Sequence, residues 1–279
     1  MVNYFTDWLR WLIASPSRFY ALAALCAGFV MLFLTPPMQV PDEAAHFYRI
    51  YHLAEGGIFA KTQGGMTGSH LPSSLRNFKQ KFDVLPFNPE RKVAKGQYRK
   101  MLKQELYPHL REFHGFEVTA LYSPIPYVPQ VIGIWLGKSL NASPIVLMWL
   151  GRAFNLLFSV GIIVLAIRLM PAYRWVLVLV AMLPMALFQK ASLSPDALTN
   201  AFAFLLTALV LRYTLTKVPV NFYALLAVVV LLAASKNAYI VLSLLLFLIP
   251  AEKYGGVKRY FAANTAIIGA GVLVAVSWI

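Results

Sequence analysis

The chain has 279 residues, of which 59% are hydrophobic and only 13% charged, and its mean hydropathy is +0.64. A soluble domain of this size cannot cover so much apolar surface with so few charges, so the composition indicates a multi-pass membrane protein. The net charge of +14 would suggest nucleic acid in a soluble chain; here it fits cytoplasmic anchoring, anionic lipid and phosphate-bearing substrates, with no nucleic-acid partner. The single cysteine, Cys26, lies inside an apolar run, so neither a disulfide framework nor a cysteine-based metal site can form.

In chain order, Trp8, Trp11 and Leu12 precede the first apolar run, and Thr35-Pro36-Pro37 follows it in place of a small-residue cleavage site. An interfacial helix is expected over 3–15 and a retained first span over 19–34, anchored by Arg18 and Tyr20. The stretch 35–49, TPPMQVPDEAAHFYR, then packs Asp42, Glu43, His46 and Arg49 into a short length. On a helix beginning near Pro41, His46 falls four residues after Asp42 and three after Glu43, so these side chains can share a face. At the point where a hydrocarbon span meets water, such a cluster can meet a lipid-borne substrate. The same residues also make an ordinary helix start, with proline in the first turn and acids facing the positive end of the dipole.

A long extracytoplasmic loop is expected over 36–143, holding all five histidines. Its centre is rich in lysine and arginine and interrupted by Pro86 and Pro89, so 61–100 reads as solvated and partly mobile. The histidines show no ligand spacing, which argues against zinc. The segment 123–140 is apolar but carries three prolines, which suits a helix lying in the interface or re-entering it.

Further apolar runs at 144–170, 175–188, 197–211, 222–234, 239–248 and 261–279 bring the expectation to an all-α, polytopic fold of about seven transmembrane helices in a single membrane domain. Residues 222–248 read best as two short helices meeting at Ser235-Lys236-Asn237, since one long helix would bury a lysine. With the N-terminus inside, Arg10, Arg18, Arg168, Arg174, Arg212, Lys217, Lys253, Lys258 and Arg259 all fall at cytoplasmic ends, the positive-inside bias. Asp42, Glu43, His46, Lys190, Asp196 and Lys236 then share the extracytoplasmic side.

Arg152 lies some two turns into its span, where a charge is expensive unless it faces a partner or a wet cavity; a phosphate or lipid headgroup and a salt bridge to one acid are the alternatives. Lys236 ends a helix, where the dipole favours a cation anyway, and Ser194-Pro195-Asp196 is a good helix start by itself.

As an ordered series, PPMQVPDEAAHFYRIYHLAEGG, Pro124-Ile125-Pro126-Tyr127, Gly151-Arg152, SPDALTNAFAFLL and SKNAYIVLSLLLFLIP resemble the C-superfamily (GT-C) of membrane glycosyltransferases. They are most similar to a bacterial domain-of-unknown-function family of multi-pass proteins of that type. The resemblance implies an enzyme of the cytoplasmic (inner) membrane that uses a polyprenyl-phosphate-linked sugar, inverting at the transferred carbon, with an envelope glycan or lipid as acceptor. It places the catalytic carboxylate on Asp42 or Glu43 and substrate binding on His46, Arg49, Arg152, Asp196 and Lys236. It leaves open whether a divalent cation takes part. Members usually continue into further spans, so a chain stopping inside an apolar run reads as a minimal module, a fragment or a degenerate copy. The rival readings are a transporter or flippase of lipid-linked substrate, and a non-catalytic component of an envelope assembly complex.

Overall fold

The computed structural model describes residues 7, 10–88 and 90–278. Of the interfacial helix expected over 3–15, residues 3–6, 8 and 9 lie outside them, and 10–13 are helical. The chain separates into two compact units, one of Met1–Ala27, Leu157–Leu187 and Asp196–Ile279, the other of Gly28–Leu156 and Phe188–Pro195.

Helix α1, Pro16–Leu34, starts on a proline whose missing N–H costs nothing in the first turn, and stops before Thr35-Pro36, where the residue ahead of a proline is driven out of the helical region. Helix α2, Glu43–Ala54, follows. The loop beyond it departs from the all-α expectation. Strands β1 (Lys61–Gln63), β2 (Met66–Pro72) and β3 (Arg111–Gly115) form an antiparallel sheet in the order β1-β2-β3. Gly64 and Gly65, at φ 58 and 79, close the first hairpin, where both turn residues need the left-handed region.

Between β2 and β3 lie α3, Ser73–Gln80, and α4, Gln97–Leu102. The single turn α5, Glu117–Ala120, and a 3-10 turn, Ile125–Tyr127, lead into α6, Val128–Ser139. At 12 residues α6 is too short to span, in keeping with the expected reading of 123–140 as other than a full span. Gly133 lets α6 press against the next helix: a Cβ there would stand 2.6 Å from the Leu150 carbonyl oxygen.

The 61–100 region is solvated at 61–66 and, among its described residues, over most of 86–100, as its charges suggest, but the stretch between packs. Leu71, Leu75, Phe78 and Phe82 are fully buried against Phe47, Ile50 and Tyr51 of α2 and Phe116 beyond β3, in one apolar core. The lysines and arginines between them leave that core for solvent by their long stems.

The remaining helices are α7 (Pro144–Leu169), α8 (Arg174–Ala181), α9 (Pro184–Lys190), α10 (Asp196–Leu215), α11 (Phe222–Ser235) and α12 (Val257–Ser277), with 3-10 helices at Asn237–Leu248 and Ala251–Tyr254. Among the described residues, α1, α7, α10 and α12 are long and apolar enough to cross a membrane. The expected run 175–188 is broken at Pro184 into α8 and α9. The chain breaks again at Lys236, as the sequence suggests: α11 ends at Ser235 and Lys236 is extended. The 3-10 form of the next 12 residues stretches them to roughly 24 Å at about 2.0 Å per residue, more than an α-helix would reach.

Two expected outcomes follow from the loop core. Phe78→Ala removes a fully buried ring and should cost about 3–5 kcal/mol, read as earlier proteolysis within 61–115. Burial, followed by Arg49 for His52 and Arg76 for His114, pushes both imidazoles down to about 4. The unfolded chain takes up protons below about 6.5, while the folded one stays neutral until about 4. Stability from these groups is therefore full above pH ~6.5 and lost as pH falls toward ~4. Melting temperature should drop across that window, less steeply in His114→Gln; an equal drop in both would refute the assignment.

A candidate active site at the start of helix α2

The Pro41-Asp42-Glu43 elbow is built around one buried ion pair. Arg152, on α7, donates from Nε to Glu43 Oε1 at 2.8 Å and from Nη2 to Glu43 Oε2 at 2.6 Å, with both side chains at 0% exposure. Its Nη1 donates to the carbonyls of Leu32 and Thr35 at 3.0 and 2.8 Å, and Nη2 to that of Pro36 at 3.2 Å. Every N–H of the guanidinium is thereby used. The cation covers carbonyls left open at the C-terminal end of α1, where the helix dipole also favours it. Glu43 Oε2 further accepts from the Met38 N–H at 3.0 Å. The expectation that Arg152 faces a phosphate gives way here to its alternative, the salt bridge to one acid. No donor is left over, and Glu43 is sealed from solvent by the same contact.

The expected shared face of Asp42, Glu43, His46 and Arg49 is dispersed. His46 lies 2.8 Å from the Tyr127 hydroxyl through Nδ1 and is buried. Arg49 is fully buried, donating to the carbonyls of Ile58 at 2.9 Å and Tyr122 at 3.0 Å, with His52 Nδ1 at 3.2 Å. Burial pushes its pKa down. Both residues tie α2 to the segment around α5 and α6.

Asp42 alone of the four is exposed. It precedes α2 in left-handed backbone, φ 55 and ψ 13, and its side chain does not cap the helix. Met38, at φ 63, is left-handed as well. Such conformations cost about 1–2 kcal/mol for residues other than glycine, least for aspartate and asparagine. They persist here because Glu43 and Arg152 hold both sides of the turn. Strain of this kind, beside open space, marks a functional candidate.

The space is a pair of cavities sharing Asp42, Ala44, Lys79 and Asp83. One, about 390 Å³, adds Tyr48, Arg76 and His114; the other, about 460 Å³, adds Met38, Pro86 and Phe87. Lys79 Nζ lies 3.0 Å from Asp83 Oδ2, and Arg76 Nε 2.9 Å from Glu112 Oε1, all partly exposed. The sequence reading missed these cations. The signal was present, since 76, 79, 80 and 83 recur at helical spacing and put one polar face on α3 and its extension.

Asp196 and Lys236 come together in the other unit: Lys236 Nζ donates to Asp196 Oδ1 at 2.9 Å, with 38% and 31% of the side chains exposed. Among the described residues, no three His, Cys, Asp or Glu side chains converge as a cation site.

Removing one partner of the sealed pair should be severe. Arg152→Met leaves Glu43 buried and unpaired and should lose about 3–5 kcal/mol, whereas the double variant Glu43→Leu/Arg152→Met should recover most of it. Thermal unfolding in detergent measures both; a single variant that melts like the unaltered protein would refute the clamp.

No curated protein and no solved structure matches the chain at a significant level. Residues 25–279 match a family described as predicted membrane protein, DUF2142, and with nearly its whole length inside that match the chain belongs to this family of membrane proteins.

Proposed function

We propose that the protein is a membrane glycosyltransferase of the GT-C type. It moves a sugar from a polyprenyl-phosphate carrier to an envelope glycan or lipid acceptor, outside the bacterial cytoplasmic membrane, on a bundle of seven spans with its N-terminus inside. The observation that carries the reading is Asp42, an exposed carboxylate on strained backbone at the mouth of two cavities that it shares with Lys79. The ordered motifs running from 36 to 250 support it.

In the reaction, the acceptor hydroxyl oxygen attacks the sugar carbon that carries the phosphate, and Asp42 takes the hydroxyl proton. The bond from that carbon to the phosphate oxygen breaks, its electron pair leaves on the phosphate, and the configuration at carbon inverts. Lys79 and Arg76 stabilise the charge developing on the leaving group. The exposed Lys79–Asp83 pair holds the lysine by only about 0–1 kcal/mol, so a phosphate can take the place of Asp83. Phe87, 97% exposed at the rim of the second cavity, offers apolar surface to a lipid-borne substrate. Glu43 and Arg152 act as positioning residues that set the backbone of Asp42. The partly exposed Lys236–Asp196 pair is a second place where a phosphate can compete for a cation.

The test is deletion of the gene and complementation with variants, followed by mass spectrometry of lipid carriers and envelope glycans. Asp42→Asn should slow transfer by about 10²–10⁴-fold, with the carrier-linked sugar accumulating. Lys79→Gln should lower kcat at least as much as it raises KM for the carrier, as loss of leaving-group stabilisation requires. Full transfer by Asp42→Asn would end the proposal.

A further inference from the structure

Within the first unit, three helix ends meet around one cavity of about 680 Å³: Leu169 closes α7, Arg212 sits in the last turn of α10, and Phe222 opens α11. The connecting segment adds Val220 and Asn221 to the wall. Both α7 and α10 have the length and hydropathy of membrane spans, so a cavity at their ends lies at the depth of lipid headgroups. Tyr223, 78% exposed, is part of its wall, and Leu215, 57% exposed, ends α10 three residues beyond Arg212.

Arg212 is half-buried, and its guanidinium donates to no acceptor among the described residues. That sets it apart from Arg49 and Arg152, whose guanidinium groups are tied to protein acceptors. Charge around it is one-sided. Arg168, Arg174 and Lys217 are near these helix ends in sequence, Lys253 donates to the Thr216 carbonyl, and Glu252 is the only acidic residue in 200–279. A concave, apolar-walled space holding an unpaired arginine at the end of membrane helices has the chemistry of an anionic headgroup site.

We propose that this cavity binds the phosphate headgroup of an anionic membrane lipid, with Arg212 donating to the phosphate oxygens and the acyl chains lying along the exposed surface beside Tyr223 and Leu215. The site is independent of the transfer chemistry assigned to Asp42. Inorganic phosphate shares the headgroup's charge but has nothing to set against the apolar wall, so the lipid is the better occupant.

The protein, reconstituted in phosphatidylcholine nanodiscs, would be titrated with phosphatidylglycerol and, separately, with inorganic phosphate, reading bound lipid by native mass spectrometry and melting temperature. Phosphatidylglycerol should bind and raise the melting temperature, and Arg212→Gln should weaken that binding about fivefold or more. Val220→Trp, which fills the cavity and keeps every charge, should also abolish it, and it serves if the Arg212 variant fails to fold. Lys217→Gln, an exposed cation outside the cavity wall, should change little. Equal binding by Arg212→Gln or Val220→Trp, an equal loss in Lys217→Gln, or competition by inorganic phosphate as effective as by lipid would each overturn the assignment.

Discussion

The contact between Arg152 and Glu43 is the constraint from which the second unit's geometry follows. An arginine inside an apolar helix is tolerable only if every donor finds an acceptor, and this one divides its donors between a carboxylate and the carbonyls where α1 ends. The same few atoms therefore join α1, α2 and α7. They also fix the turn between α1 and α2, because Glu43 reaches back to the Met38 N–H. Asp42, next to Glu43, has no freedom to relax into the helix and stays outside it, facing open space.

The basic loop gains its order from a similar logic. Its apolar residues are few, but they meet the buried face of α2, and Phe47, Tyr51, Phe78 and Phe82 form a core that continues to Ile145 and Met148 at the start of α7. The strands matter chiefly because they return the chain: β3 pairs with β2 and delivers His114 to the cavity beside Asp42. Arg49 and His46, buried on α2, tie the far side of the same unit to Tyr122 and Tyr127. The charged face that remains, Arg76, Lys79 and Asp83, is the one that Asp42 meets.

In the first unit, breaks in the helices do the organising. Lys236 in extended backbone separates α11 from a 3-10 helix, and its ammonium turns to Asp196, the first residue of α10. At the other ends of α10 and α11, cations outnumber acids, with Glu252 the only acidic residue in 200–279. The contrast is between a paired, self-neutralised end and one that leaves positive charge for something outside the protein.

The sequence by itself determined the class of protein, the positions of the long apolar helices and the break at Lys236. These rest on composition and on proline, glycine and charge at single positions, which act locally. Tertiary structure decided which acid is available. Asp42 and Glu43 are neighbours of like chemistry, and only the arrival of Arg152, 109 residues further on, seals one and leaves the other open. It also decided that 71–85 packs, since Leu71, Leu75, Phe78 and Phe82 have a partner only once α2 is beside them. A chain read one residue at a time weighs the lysines around those positions as much as the apolar residues, whereas burial counts only the side that faces the neighbouring helix.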